Sequence, residues 1–173
     1  MKRIFTYLFF LSTTIGFSQN LSKDQLEKLE YEELLEYYNE VNYDSIEGEI
    51  IARVYLDRAR AEKDTIKMAR GYDRLARLFH PEKNIAFADS IINLTGNKSH
   101  ITYPGLAYLI KGYYYDELGD LINSNKNFYK AYEQGVENNN ISIQIYTLNI
   151  LISNKAHWGN GSKALALQKN NLS

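Results

Sequence analysis

Small residues return along this chain at intervals of 34 to 41 positions, and that interval restricts the fold more than any other feature of the sequence. Gly71 and Gly112 stand 41 apart, each inside a short basic-Gly-Tyr phrase, Arg70-Gly71-Tyr72 and Lys111-Gly112-Tyr113. Gly119 and Gly159 are 40 apart, and so are Ser124 and Ala164. Ala52 and Ala86 are 34 apart, and Ala86 precedes Ser124 by 38. Two antiparallel helices joined by a short turn approach closely only where something of Gly, Ala or Ser size faces the neighbour. Each such pair leaves an apolar face that the next pair covers, so a recurrence of this length is the mark of stacked helix hairpins. The expected fold class is all-α, an antiparallel helix-hairpin array with about three to four degenerate repeats behind an N-terminal signal segment.

The rest of the chain agrees with helices. Only two prolines, Pro81 and Pro104, interrupt 173 residues. Ser22-x-x-Gln25 is a capping-box pattern, followed by an apolar stripe at three- and four-residue spacing through Leu26, Leu29, Leu34, Leu35, Tyr38 and Val41. Asp44 or Ser45 is placed to cap a helix reaching about Lys63. Asp64 or Thr65 caps the next, which ends at His80-Pro81. Pro81 can start another that Gly96 closes. Pro104 opens the longest apolar helix, Leu106 to Leu118, and Gly119-Asp120 turns the chain into a partner helix reaching Asn138. Three asparagines, Asn138 to Asn140, mark the next break. Ile141 to His157 is expected to be helical, and Ser162 to Leu172 to form a last short helix.

The first 18 residues read as a secretory signal peptide. Met1-Lys2-Arg3 is a basic start, Ile4 to Ile15 is an apolar stretch, and Gly16-Phe17-Ser18 puts small residues at −3 and −1 for cleavage before Gln19. The stretch is shorter than the roughly 20 residues of a membrane span. An uncleaved anchor is the alternative. The absence of cysteine excludes a lipoprotein anchor, a disulfide framework and a cysteine nucleophile. The chain is expected to be exported, periplasmic or secreted, with the helical domain occupying 19–173. Without Lys2 and Arg3 the chain carries 18 basic and 21 acidic residues. No basic patch stands out, so no nucleic-acid partner is expected through this chain. A membrane partner is expected only if the N-terminal segment stays uncleaved.

The stretch Gly105 to Asn138 sets Gly112, Tyr115, Gly119, Ser124, Phe128 and Ala131 in order. It resembles the tetratricopeptide (TPR) repeat, which has Gly, Tyr three later, a turn, and then small–aromatic–Ala on the second helix. The usual Trp and Pro positions are missing. Ala52, Leu56 and Ala59 resemble the second helix of such a unit, Gly159 with Ala164 and Leu165 the start of another, and Gly71 with Ala86 a weaker one. Three phrases, Glu62-Lys63-Asp64-Thr65-Ile66-Lys67, Ala88-Asp89-Ser90-Ile91-Ile92 and Lys111-Gly112-Tyr113-Tyr114-Tyr115, resemble the exported sensory half of bacterial TPR-containing AraC- or LuxR-type regulators. Unlike that family, this chain has no second apolar span and no helix-turn-helix. The expectation is a non-catalytic, exported protein-interaction scaffold, either free-standing or the sensory part of a signalling system. The alternative is a truncated fragment of a membrane-anchored transcriptional regulator whose DNA-binding half is missing.

No catalytic constellation is visible. His80, His100 and His157 lie on separate segments without a second ligand at helical spacing, so no metal site is expected. Gly159-x-Gly161 is too short for a phosphate loop, and no Gly-x-Ser-x-Gly elbow occurs. No cofactor is expected. The TPR resemblance implies a groove lined by the first helices of the repeats. With Gly112 as the anchor it implies Tyr113, Asp116 and Glu117 there, and by the same offset Tyr72 and His157. Tyrosines and carboxylates suit an extended protein or peptide partner with basic or amide groups.

Overall fold

A computed structural model describes residues 21–41, 46–78 and 81–157. Within them the chain is all-α: eight helices and no strand. They are α1 (Lys23–Leu26), α2 (Tyr31–Glu40), α3 (Ile46–Ala61), α4 (Thr65–Ala76), α5 (Pro81–Thr95), α6 (Gly105–Glu117), α7 (Leu121–Glu137) and α8 (Ile141–His157). The signal segment 1–18, the caps Asp44 and Ser45, His80 and the last helix of 162–172 lie outside the described residues. Among the described residues no helix is long and apolar enough to cross a membrane.

One turn is used three times. Lys63, Gly119 and Asn139 each take a left-handed conformation, with φ of 57°, 71° and 56°. The residue that follows donates its N–H back across the turn, Asp64 to the Ala59 carbonyl, Asp120 to that of Tyr115, and Asn140 to that of Gly135. This is the Schellman arrangement, which satisfies carbonyls that a helix end would leave unpaired. The same Asp or Asn then caps the next helix. Asp64 Oδ1 accepts from the N–H of Lys67, Asp120 Oδ1 from that of Asn123, and Asn140 Oδ1 from that of Ile143, all within 3.1 Å. Two residues thus end one helix and start its antiparallel neighbour. The pattern explains the turns after α3, α6 and α7. The left-handed Lys63 had no sequence signal, since lysine lacks the conformational freedom of glycine.

The stripe from Leu26 to Val41 was expected to be one helix and is two. The chain leaves helical geometry after Leu26 and restarts at Tyr31, where the Glu30 N–H donates to Glu33 Oε2 at 2.7 Å. The freed carbonyls find a donor from far along the chain: Arg58 of α3 gives Nη1 to the Leu29 oxygen at 2.5 Å and Nη2 to the Glu27 oxygen at 2.6 Å. A charged donor 29 and 31 residues away makes the break affordable, and local spacing has no way to announce it.

Helices from α3 onward pack each on the next, and α6 also touches α8. The core follows this order in three clusters. The first joins α1, α2 and α3 around Leu26, Leu34, Tyr38, Tyr55 and Leu56, with Leu75 of α4. The second joins α4, α5 and α6 around Ala69, Ala88, Ile91 and Ala107. The third joins α6, α7 and α8 around Leu109, Phe128, Ala131, Ile143 and Leu151. Ala52, Ala59, Ser124, Phe128 and Ala131 are buried, as close-contact positions should be. Ala86 is not: it is exposed, and Ala88 takes the buried place. Nor are the two Gly-Tyr phrases equivalent in packing. A Cβ on Gly112 would stand 2.4 Å from Phe128 Cε1 on the following helix α7, whereas one on Gly71 would stand 2.8 Å from Leu56 Cβ on the preceding helix α3. Sequence spacing finds where a helix needs a small residue but not which neighbour it faces.

The connection between α5 and α6 is longer and is held from α7 and α8. Asn138 Oδ1 accepts from Ser99 Oγ and from the His100 N–H, and Asn140 Nδ2 donates to the Ile101 oxygen at 2.7 Å. His100 Nδ1 accepts from the backbone N–H groups of Thr102 and Tyr103, and its ring stacks on that of Tyr103. Nδ1 can accept only while unprotonated. Burial, and then the nearby Arg70, hold the His100 pKa below its free value of 6.5.

Two outcomes are expected. Gly112→Ala gains about 1 kcal/mol in helix propensity, but its methyl must displace a fully buried ring at a cost of up to about 3 kcal/mol. Urea unfolding should show it less stable than wild type by about 2 kcal/mol. Gly119→Ala meets no atom within 4 Å and should lose only about 1 kcal/mol through its positive φ. Equal stability of Gly112→Ala and wild type would contradict the close packing. Because the folded state favours neutral His100, its stabilisation is fully present above pH 6.5 and is lost as pH falls through the lower folded value. The urea midpoint should therefore drop between about pH 7.5 and about pH 5 by more in wild type than in His100→Phe. Equal drops would remove His100 from the account.

Candidate binding cleft

Helices α4, α6 and α8 border a cleft of about 250 Å³, with α5 contributing at one edge. On α6 the lining residues Leu106, Ile110, Tyr113, Tyr114 and Glu117 fall three, four or one apart, which is a single helix face. Leu109 joins them from the core side. On α4 the lining residues are Asp73 and Ala76, with Arg77 at its C-cap; α5 supplies Asn84 and α8 supplies Tyr146.

Tyr113 joins the layers. Its hydroxyl donates to the Tyr146 hydroxyl at 2.6 Å, tying α6 to α8. Its ring meets Phe128 edge-on, with centroids 5.3 Å apart at 82°. This is the electrostatically favoured approach of two aromatic rings. Burial first, and then the Tyr146 hydroxyl and Asp116, push the Tyr113 phenol above its usual pKa, so it stays protonated and a donor. Gly112 matters here as well. By letting Phe128 lie against the α6 backbone, it leaves Tyr113 seated on the ring edge with its tip at the cleft.

The charged wall is made on α4. Asp73 is 3% exposed. Its carboxylate accepts from Arg77 Nε at 3.2 Å and Arg77 Nη2 at 3.5 Å, and Arg74 Nη1 stands at 3.5 Å. The carboxylate is shielded while the Arg77 side chain is about half exposed, so the pair lies at the edge of the cleft rather than inside it. Asn84 is different: its Oδ1 is shielded from solvent and has no hydrogen-bond partner among the described residues.

Of the residues expected in a groove, Tyr113 and Glu117 line the cleft. Asp116 is exposed on the next face of α6 and does not line it. Tyr72 is elsewhere: its ring packs on Phe87 of α5, and its hydroxyl accepts from Arg60 Nη2 at 3.0 Å. The offset from Gly112 fails at Gly71 because Gly71 faces backward, to α3; the cleft face of α4 is then carried by Asp73, one residue on. The side chain of His157 lies outside the described residues. Asp73, Arg77, Asn84, Tyr114 and Tyr146 were not anticipated. The Asp73–Arg77 pair was open to view as an i, i+4 ion pair. Tyr146 had no signal, since its partner Tyr113 is 33 residues away.

Among the described residues no group of three or more His, Cys, Asp or Glu side chains is placed to hold a metal ion. Comparison of the chain with protein-family models, with curated proteins and with solved structures gave no significant match.

Proposed function

We propose that this protein is a non-catalytic interaction scaffold of stacked, TPR-like helix hairpins, exported through its N-terminal segment, that binds an extended peptide stretch of a partner protein in the cleft between α4, α6 and α8. The observation that carries this reading is that residues of the alternate helices α4, α6 and α8 line one cleft. If α4/α5 and α6/α7 are successive hairpins and α8 begins the next, the first helices of neighbouring repeats would line one side of the array. The cleft has that composition, with α6 and α8 joined directly by Tyr113 and Tyr146.

Further support comes from the spacing of Gly112, Tyr115, Gly119, Ser124, Phe128 and Ala131. Five of the six have a physical task of the kind the repeat requires: close approach at Gly112, a left-handed turn at Gly119, and burial at Ser124, Phe128 and Ala131. Tyr115 is half-buried and meets Tyr114 edge-on. The cleft itself suits a peptide. Its lining combines apolar Leu106, Leu109 and Ile110, tyrosines that offer large contact area at low entropic cost, and the polar Asp73, Arg77, Asn84 and Glu117. The export reading rests on the basic–apolar–small order of residues 1–18, and a role as the sensory part of a signalling system rests on the resemblance alone.

The test is a display selection of random dodecapeptides on the purified full chain. Recovered peptides are then measured against Tyr113→Ala and Tyr146→Ala by fluorescence anisotropy. Truncating an aromatic anchor in a peptide groove costs about 2 kcal/mol, so at least one of the two variants should bind roughly 30-fold more weakly. Unchanged affinity in both, with helical content by circular dichroism intact, would contradict the cleft as the binding site.

A further inference from the structure

At three turns of this fold an Asp or Asn side chain collects free N–H groups at the start of the next helix: Asp64, Asp120 and Asn140. In the connection that leads into α6 a histidine takes that role. His100 Nδ1 accepts from the N–H groups two and three residues on, Thr102 at 3.1 Å and Tyr103 at 3.2 Å. Asp64 Oδ1 takes the same two offsets, from Ile66 at 3.1 Å and Lys67 at 3.0 Å. The geometry is alike and the chemistry is not. An Asn oxygen accepts at every pH, and an Asp carboxylate keeps accepting down to about pH 4. An imidazole nitrogen stops accepting when it is protonated, at around pH 6.5 in a free side chain. His100 is half-buried, so a proton can reach it.

The backbone that His100 holds leads directly to the cleft. The Thr102 carbonyl accepts the Leu106 N–H at 3.0 Å, in the first turn of α6. Tyr103 is 3% exposed, and its ring stacks on that of His100 with centroids 5.3 Å apart. It belongs to the core cluster of Ala69 on α4, Ala88 on α5 and Ala107 on α6. Leu106 and Ile110 pack against that cluster and also line the cleft. The two hydrogen bonds to one imidazole nitrogen therefore fix both the entry into α6 and a buried ring beneath two cleft residues.

The surroundings of His100 oppose its charged form from each side. The Arg70 guanidinium of α4 repels a second positive charge. Tyr103, in the same connection, is kept a neutral phenol by burial. The ends of α7 and α8 present the amides of Asn138 and Asn140, which do not titrate. Among the described residues no carboxylate acts on the His100 charge. A protonated ring would aim an N–H at two backbone N–H groups, so it must turn out of its place on Tyr103.

We propose that His100 is a pH latch on peptide binding: when neutral it holds the connection into α6 and the cleft in the binding form, and when protonated it lets go of Thr102 and Tyr103 and the cleft releases its peptide. This rests on the reading of the cleft as a peptide groove and adds its regulation. Binding is then complete above pH 6.5 and declines as pH falls below that free value.

The test uses the full chain, His100→Asn, and the tightest acetylated dodecapeptide without His, Asp or Glu that display recovers at about pH 7.5. Such a peptide does not itself titrate in the range used. Asn at position 100 offers an acceptor at the same two offsets and takes up no proton. His80 and His157 are present in both proteins, so the difference between them reports position 100 alone. By anisotropy the two should bind within about threefold of each other at about pH 7.5. At about pH 5 the wild type should bind roughly tenfold more weakly, while His100→Asn stays within about twofold of its own value at about pH 7.5. Helical content by circular dichroism should be unchanged in both. An equal loss in His100→Asn, or no loss in wild type, overturns the latch and leaves the groove standing. A loss in wild type that comes with loss of helical content is unfolding, and it overturns the latch as well. If no peptide binds at about pH 7.5, the groove falls and the latch falls with it.

Discussion

The contact between Gly112 and Phe128 is the constraint on which the rest of the site depends. A Cβ at position 112 would stand 2.4 Å from Phe128 Cε1, far inside van der Waals contact. Only a bare backbone lets α7 come this close to α6, and only that approach buries Phe128 completely. Burying a phenylalanine fully contributes about 1.5–3 kcal/mol, a large part of what holds one helix on another. With Phe128 fixed, Tyr113 rests on its edge, and the Tyr113 hydroxyl is delivered to Tyr146. One missing side chain therefore sets the spacing of α6 and α7, the position of a cleft tyrosine and the link to α8.

The turns provide the second organising element. Lys63-Asp64, Gly119-Asp120 and Asn139-Asn140 differ in sequence but make the same two sets of hydrogen bonds. Each reverses the chain in three residues, so neighbouring helices meet along their length and a small residue on one can face a large side chain on the other. Between α5 and α6 the chain instead uses a longer connection, anchored by Asn138 and Asn140 from the α7–α8 turn. That turn thus ends α7, starts α8 and pins a distant loop.

Much of the fold was legible because helix starts and stops are local. Pro81, Asp64, Gly119 and the asparagines at 138–140 mark ends by properties of their own backbone or side chain. The break between α1 and α2 was hidden because Arg58, which satisfies its carbonyls, is brought there by tertiary folding. The site was legible in part. Tyr113 and Glu117 follow from the face of α6 that Gly112 fixes. Tyr72 does not, because spacing along the chain cannot tell a glycine that faces the helix before from one that faces the helix after. Tyr146 and Asn84 enter through helix-to-helix packing, which leaves no trace at short range.

The central claim is that close packing of α6 on α7 positions Tyr113 to join α6 to α8 across the cleft. The most direct measurement is an aromatic nuclear Overhauser spectrum of the full chain with labelled tyrosine and phenylalanine, assigned through Tyr113→Phe and Tyr146→Phe. Centroid separations of 5.3 Å from Phe128 to Tyr113 and 6.4 Å from Tyr113 to Tyr146 require cross-peaks for both pairs. Resolved signals for all three rings with a Phe128–Tyr113 peak but none from Tyr113 to Tyr146 would contradict the link between α6 and α8. Absence of both peaks would contradict the packing from which the cleft is built.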